Sequence, residues 1–322
     1  MECFIGIDLG GTNIKVAAVS NEGWVIAKTM GPTDVHRPPQ AVVETMAGMA
    51  RVVMNEARGR GYEAGAVGTG IPGLIDWDAG VCIMLPNFPG KWEGVQLKSL
   101  LEADLKLPVY VINDARATTL AEKRLGAGKS VDSLVLATLG TGIGGGVVVN
   151  GDLYLGADGG AGEVGHIIVE PGGILCGCGN RGCLEAYASG PAMAAMAIRA
   201  IVQQNDTLIR DLVDGDLNKV TPKVIAEAAE KGDRVAIDVI EEAGEYIGIA
   251  LSSAATTINP QMVVIGGGVA QAGGRLMNKI KETIHSRVHI VPGEKIQVVL
   301  AELGPDAGMI GAALWAKERL GR

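Results

Sequence analysis

Two β-hairpins are predicted where apolar segments flank a glycine-rich turn. The first covers residues 4–19, with its turn at residues 10–13. The second covers residues 134–149, with its turn at residues 140–146. Their separation is too long for a solenoid repeat. The pattern leaves two interpretations, either two unrelated hairpins or a duplicated fold whose halves face each other across a cleft.

Apolar residues at helical spacing predict helices between further strands. The clearest helix covers residues 42–54, which follow two prolines and precede Gly59 and Gly61. Similar patterns predict helices over residues 115–125, most of 191–257, 274–286 and 306–320, and short apolar runs predict buried strands over residues 67–73, 107–112, 261–269 and 296–301. Because strands precede helices twice along the chain, we expect an α/β fold.

The length of the chain indicates two domains. Its 322 residues exceed the size at which a single hydrophobic core stops growing, about 250–300 residues. We expect a smaller α/β domain over residues 1–115, joined by the C-terminal helix over residues 306–322, and a larger one over residues 116–305. Only four Trp, five Tyr and two Phe are present, so aliphatic side chains form most of both cores.

Charge and hydropathy exclude several classes of function. The formal net charge is −8 and no block of five Lys or Arg residues occurs, so we expect no nucleic-acid partner. No run of 18 uncharged apolar residues occurs, so we expect no membrane span. The N-terminus lacks a signal-peptide pattern and the five cysteines are an odd number, so we expect a cytoplasmic protein without a disulfide framework.

The glycine-rich turns are candidate phosphate-binding loops, because glycine lets phosphates approach backbone N–H groups without a Cβ in the way. Neither turn is a Walker A loop. Two such turns after buried strands favour a nucleoside triphosphate over simple structural turns. A third glycine cluster would accommodate adenosine or, alternatively, tight helix–strand packing. The candidates are Asp8 as a carboxylate for Mg²⁺, with Gly10, Gly11, Thr12, Asn13, Gly140, Thr141, Gly142, Gly266, Gly267 and Gly268.

A strand-to-helix junction places Asn113 and Asp114 after a buried strand. Asp at such a position commonly serves as the N-cap of the following helix, which stabilises the helix by about 1 kcal/mol. It can also serve as a general base that accepts a proton from a hydroxyl group. Spacing alone favours the cap over the base.

Three cysteines and one histidine lie within eighteen residues of each other, at His166, Cys176, Cys178 and Cys183. A Cys₃His set is typical of structural Zn²⁺, and the intervening glycines let the loop fold around one ion. The alternative is a set of unmetallated thiols. Glu163 and Glu185 flank the set, either as acceptors for a polyhydroxylated ligand or as surface glutamates.

These motifs together resemble the ROK family of repressors and sugar kinases, within the actin/hexokinase/Hsp70 superfamily. The resemblance covers nearly the whole chain and rests on Asp-Leu-Gly-Gly-Thr-Asn at residues 8–13, Gly-Ile-Pro-Gly at 70–73, Asn113–Asp114, the glycine turn at 140–146, and the Cys-Gly-Cys-Gly-Asn-Arg-Gly-Cys-Leu-Glu block at 176–185. It implies two actin-like, ribonuclease H-like α/β domains that face an interdomain cleft. A homodimer or higher homo-oligomer is also implied.

The resemblance also implies an activity, the ATP-dependent phosphorylation of a hexose at its 6-hydroxyl. Asp114 would be the general base, which reverses the preference for a cap. The sugar would contact Gly73, Asn87, Asn113, Asp114, Glu163, His166 and Glu185. The first two glycine turns would bind the phosphates of ATP, residues 266–268 would bind adenosine, and His166 would also ligate zinc.

The identity of the hexose is suggested by one segment. Residues 87–92, Asn-Phe-Pro-Gly-Lys-Trp, are similar to the Asn-Leu-Pro-Gly-Trp stretch of the family's glucokinases, with Lys91 inserted, and favour glucose. N-acetylmannosamine, N-acetylglucosamine and fructose kinases share most of the other motifs. A non-catalytic sugar-sensing regulator is the alternative class. Such repressors carry a helix-turn-helix domain ahead of the phosphate loop, and here the loop begins at Asp8.

Overall fold

The computed structural model describes residues 1–85 and 88–321. The strands are β1 (Glu2–Leu9), β2 (Asn13–Ser20), β3 (Val25–Pro32), β4 (Glu63–Ile71), β5 (Leu74–Asp76), β6 (Val81–Met84), β7 (Val109–Asn113), β8 (Leu134–Leu139), β9 (Ile143–Val149), β10 (Asp152–Tyr154), β11 (Met262–Gly266) and β12 (Gln297–Leu300). The helices are α1 (Pro39–Gly59), α2 (Leu97–Leu105), α3 (Asp114–Leu125), α4 (Glu185–Ala188), α5 (Gly190–Val202), α6 (Leu208–Leu212), α7 (Pro222–Glu230), α8 (Arg234–Ile258), α9 (Gly274–Arg287) and α10 (Ala307–Leu320).

The chain divides into two compact units. The first contains Met1–Lys129, Leu153–Ala161 and Glu302–Arg322, and the second contains Ser130–Asp152 and Gly162–Ala301. The C-terminal helix α10 therefore belongs to the first unit. The domain boundary that we predict at residues 115/116 falls inside α3, which lies in the first unit as a whole.

A five-stranded sheet of order β3-β2-β1-β4-β7 forms the centre of the first unit. β1, β2 and β3 form an antiparallel meander, whereas β4 and β7 run parallel to β1. Ile5 and Ile7 of β1 pack in one core with Met46 of α1, and Phe4 packs in another core with Leu120 of α3 and α10. Because helices cover both faces, β1 is apolar on both faces.

A second sheet of order β10-β9-β8-β11-β12 organises the second unit. β8 and β9 form the second predicted hairpin, and β11 and β12 run parallel to β8. Val135 and Ile265 of this sheet share one core with Ile247 of α8 and Ile280 of α9. The mixed α/β architecture and both hairpins are as predicted, and each hairpin presents its glycine turn at one end of its sheet.

None of the helices in the described part of the chain combines the length and apolarity that crossing a bilayer requires. The predicted helical stretch over residues 191–257 consists of α5, α6, α7 and α8 with short loops between them.

Candidate functional site

The first glycine turn is an open loop between β1 and β2. Gly10 donates its N–H to the Asn13 carbonyl at 3.0 Å, and the Thr33 hydroxyl donates to the Gly10 carbonyl at 2.6 Å. These bonds hold the base of the turn, while Gly11 and Thr12 at its tip are exposed. The tip therefore offers backbone N–H groups to an anion.

Asp8 and Asp114 lie at one edge of the first sheet. Asp8 is near the carboxyl end of β1 and Asp114 follows β7, and parallel strands bring these ends to the same edge. Burial and then the negative charge of Asp114 raise the pKa of Asp8 to about 6, and Lys15 opposes this increase. Two carboxylates that repel each other in this way match the oxygen ligands that Mg²⁺ prefers.

Asn113, and not Asp114, is the N-cap of α3. Its side-chain Oδ1 accepts the N–H groups of Ala115 and Arg116 at 3.0 and 3.2 Å, while its Nδ2 donates to the Gly73 carbonyl at 3.0 Å. The cap interpretation of Asp114 is therefore wrong. Asp114 is instead the first residue of the helix, half-buried, with Oδ1 accepting the N–H of the next residue at 2.8 Å.

The second glycine turn connects β8 to β9 and is joined to Glu185. Gly140 donates to the Gly142 carbonyl at 2.9 Å, and the Glu185 Oε2 accepts the Ile143 N–H at 2.8 Å. A Cβ at Gly142 would lie 2.4 Å from that same Oε2 atom, so the carboxylate closes against the turn. The structure thus brings Glu185, predicted to bind sugar, to a loop predicted to bind phosphate.

A cavity of about 430 Å³ lies between the second glycine turn and the third glycine cluster. Gly140, Thr141 and Gly268 line one part of it, and Ala194 and Val220 contribute apolar surface. Gly267 has a φ of +89°, and a Cβ there would lie 2.2 Å from the Leu139 carbonyl oxygen, so only glycine fits at this strand end. The cavity is large enough for a flat heterocycle and a pentose.

The Cys₃His set is assembled in space. Its four ligand atoms, on His166, Cys176, Cys178 and Cys183, all lie within 4.8 Å of one another. Cys178 Sγ lies 3.7 Å from Cys183 Sγ, and Cys176 Sγ lies 3.7 Å from His166 Nδ1. Two thiolates on one tetrahedral zinc ion, each about 2.3 Å from the metal, are about 3.8 Å apart. The donor set therefore fits Zn²⁺.

The thiols of this set are also crowded. Burial, followed by the neighbouring sulfur atoms, raises the pKa of Cys183 to about 12. A divalent cation favours the thiolate and offsets this cost. Because Nδ1 of His166 faces the sulfur atoms, its Nε2 is directed elsewhere and lies 4.0 Å from Glu163 Oε2. Both groups are partly exposed, so a hydroxyl can bridge them.

The predicted residues thus fall into two groups. Asp8, Gly10, Gly11, Thr12, Asn13, Gly73, Asn113 and Asp114 lie in the first unit, whereas Gly140, Thr141, Gly142, Glu163, His166, Cys176, Cys178, Cys183, Glu185, Gly266, Gly267 and Gly268 lie in the second. Asn87 is outside the described residues. In the same segment, the rings of Phe88 and the buried Trp92 meet edge to face with centroids 5.5 Å apart.

The cavity walls were missed by sequence reasoning. Pro191 and Pro222 line the cavity, and each stands within the first two positions of its helix, after a capping Ser189 and Thr221. Ser-x-Pro and Thr-Pro are readable as helix starts. Nothing in the sequence says that two helix starts meet at one cavity.

The chain is similar to known proteins over nearly its whole length. The ROK family profile matches residues 4–319. A glucokinase of Thermotoga maritima is 38% identical over 319 residues, which are 98% of each chain. A xylose repressor of Caldicellulosiruptor bescii is 31% identical over 307 residues, 95% of this chain and 76% of that protein. The crystal structure of a ROK family glucokinase from Streptomyces griseus with glucose and AMPPNP superposes with a TM-score of 0.85 at 35% identity, covering 98% and 99% of the two chains.

Proposed function

Because the chain belongs to the ROK family, we propose that it transfers the γ-phosphoryl group of ATP to the 6-hydroxyl of glucose. The observation that carries the proposal is the pair of carboxylates Asp8 and Asp114 at one edge of the first sheet, with Asp114 presented by a helix that Asn113 caps. The similarity to glucokinases, one of them bound to glucose and AMPPNP, supports the choice of sugar and nucleotide.

Asp114 is the general base of the proposed reaction. Its carboxylate accepts the proton of the sugar hydroxyl as the oxygen attacks the γ-phosphorus, and ADP leaves on the opposite side. Because Asn113 provides the cap, the Asp114 carboxylate is not needed to satisfy the first turn of α3. A positioned base of this kind contributes about 10²–10⁴-fold to the rate.

The glycine turns and the cavity bind the nucleotide in this proposal. Backbone N–H groups of residues 10–12 and 140–142 bind phosphate oxygens, and the cavity beside Gly268 takes the adenosine. Asp8 is the carboxylate that would hold Mg²⁺. That ion, when bound with ATP, would neutralise charge on the phosphates and offset both the burial and the repulsion from Asp114 that raise the pKa of Asp8.

Zinc has a structural role in the proposal. With all four ligands supplied by the chain, no coordination position is left for a substrate. His166 would hold the metal through Nδ1 and leave Nε2, beside Glu163, for a sugar hydroxyl. Glu185, which lies at the second glycine turn, accepts hydrogen bonds from the sugar hydroxyls.

A panel of acceptors tests this proposal. ADP release is measured with glucose, mannose, fructose, N-acetylglucosamine and N-acetylmannosamine at equal concentrations, with ATP and Mg²⁺. The proposal expects the highest kcat/KM with glucose. A preference for an N-acylhexosamine or for fructose would assign the chain to another kinase of the family, and sugar binding without ADP release would assign it to the sugar-sensing regulators.

The assembly state and location also remain proposals. We propose a homodimer, on family resemblance, and sedimentation or light scattering of the purified chain measures it directly. The cytoplasmic location predicted from the sequence stays a prediction.

A further inference from the structure

A glycine in the C-terminal helix makes room for the Asp8 carboxylate. Gly308 is the second residue of α10, and a Cβ built on it would lie 2.7 Å from Oδ2 and 2.8 Å from Cγ of Asp8. Carbon atoms in comfortable contact lie about 3.5–4.0 Å from their neighbours. Any side chain at this position would therefore collide with the carboxylate. Because glycine is unfavourable within a helix, its presence here requires such a reason.

The two residues that precede α10 are held in place by lysine side chains. Lys15 Nζ donates to the Pro305 carbonyl at 2.7 Å, and Lys28 Nζ donates to Asp306 Oδ2 at 2.6 Å. Lys15 is also the residue opposite Asp8 in the pairing of β1 with β2. The two lysines therefore fix the entrance of the helix to β2 and β3, and β2 pairs directly with β1, the strand that carries Asp8.

The body of α10 is packed tightly against the first sheet. A Cβ at Gly6 would lie 1.8 Å from the Met309 carbonyl oxygen, and a Cβ at Gly68 would lie 1.7 Å from that of Ala312. Helix and sheet are thus in backbone contact at Met309 and Ala312, within four residues after Gly308. A methyl group added at Gly308 meets the end of one short side chain, and that side chain can rotate away more easily than the backbone can move.

We propose that Gly308 is a positioning residue, which acts through Asp8 and sets where the carboxylate meets the metal-bound phosphates of the nucleotide. The effect on the binding of nucleotide and metal rests on the proposed function, whereas the displacement of Asp8 rests on the packing alone. Replacement of Gly308 by Ala leaves the fold intact and rotates the Asp8 carboxylate out of place. The binding of the nucleotide and the metal is weakened, and glucose binding is unaffected.

The test compares Gly308→Ala with Gly48→Ala as a matched control. Gly48 also lies in a long helix, α1, but a Cβ there meets no atom within 4 Å. Displaced outer contacts of metal ligands typically cost 10–100-fold. We expect Gly308→Ala to raise KM for Mg²⁺·ATP by about that factor, with a steeper dependence on Mg²⁺ concentration and an unchanged KM for glucose. Gly48→Ala should change none of these constants.

A thermal cycle with Asp8→Ala supplies a readout that does not need turnover. With Asp8 present, Gly308→Ala leaves the melting temperature unchanged or lowers it. In the Asp8→Ala background the three nearest atoms, all of the Asp8 carboxyl group, are removed, so the same change raises the melting temperature by about 1–3 °C, the usual gain of Ala over Gly in a helix. Shifts in melting temperature that differ between the two backgrounds show that Asp8 and Gly308 are energetically coupled.

The outcomes separate the two claims. Equal shifts in melting temperature in both backgrounds, or a Gly308→Ala enzyme with wild-type dependence on Mg²⁺ and ATP, would overturn the role of Gly308. A chain that releases no ADP with any sugar but still shows the thermal coupling would overturn the proposed function and leave the packing relation standing.

Discussion

Replacement of Asp8 by Asn is expected to make the protein more stable at neutral pH while it removes the activity. Asp8 is a partly buried carboxylate close to Asp114, and burial and this charge raise its pKa from 3.8 to about 6. Ionisation is therefore harder in the folded chain than in the unfolded chain. Asn has nearly the same shape and carries no charge, so it removes this cost.

The pH window follows from the direction of the shift. A carboxyl group whose pKa is raised on folding costs nothing below its unfolded pKa, and the folded state loses stability as the pH rises from 3.8 to about 6. Each pKa unit corresponds to about 1.36 kcal/mol. The difference between 3.8 and 6 thus sets an upper value of about 3 kcal/mol at pH 7.5. By about pH 4 most of the difference disappears.

Calorimetry without nucleotide or Mg²⁺ measures the effect. Domains of 150–250 residues shift by about 2–4 °C per kcal/mol, so Asp8→Asn should melt as much as 6–12 °C above the wild type at pH 7.5. Asp206→Asn, on an exposed loop, is the control and should leave the melting temperature almost unchanged. Adding Mg²⁺ and ATP should stabilise the wild type more than Asp8→Asn, because only the wild type has the carboxylate.

A lower melting temperature for Asp8→Asn at pH 7.5, or a gain that is the same at pH 4 and pH 7.5, would refute this reasoning. The first result would mean that the carboxylate is stabilised in the folded chain, contrary to the burial and the repulsion from Asp114, and the second would mean that the gain does not come from the ionisation of Asp8.

Two further predictions concern the second unit. Metal analysis should find about one zinc per chain. Cys183→Ser or chelation should remove the zinc and weaken glucose binding before ATP binding, because His166 belongs to both the cluster and the proposed sugar site. A zinc-free, fully active preparation would contradict this. Ala194→Phe places a ring in the 430 Å³ cavity. It should raise KM for ATP at least about tenfold, a loss of roughly 1.4 kcal/mol of binding, and leave KM for glucose unchanged. Unaltered ATP kinetics would show that the nucleotide binds elsewhere.

The regular parts of the fold could be predicted from the sequence. The hairpins around residues 10–13 and 140–146 are long apolar segments with a glycine turn, and both are present. By contrast, the sequence pattern does not predict α2 or the β5–β6 hairpin. Strands of three and four residues carry too little pattern to be distinguished from loop. The buried residues Leu97, Leu101 and Leu105 of α2 are spaced by four, a signal that covers only nine residues.

The candidate site was partly predictable for a different reason. Local motifs name the right residue types, but the partner of each side chain depends on tertiary contacts. Asn113 and Asp114 are both good caps, and only the structure shows which of them caps α3. Glu185 follows the cysteine block in sequence, yet its carboxylate accepts the N–H of Ile143, 42 residues away. Gly308 gave no signal at all, because its neighbour Asp8 lies at the other end of the chain.

Phosphoryl transfer to glucose and the role of Asp114 are tested together by following the product of the chain with glucose, ATP and Mg²⁺ by ³¹P NMR, for the wild type and for Asp114→Asn. We expect glucose 6-phosphate from the wild type. We also expect an Asp114→Asn variant that folds, binds glucose with unchanged affinity and turns over about 10²–10⁴-fold more slowly. Near-wild-type turnover of Asp114→Asn, or phosphate on another hydroxyl, would contradict Asp114 as the general base of a glucose 6-kinase.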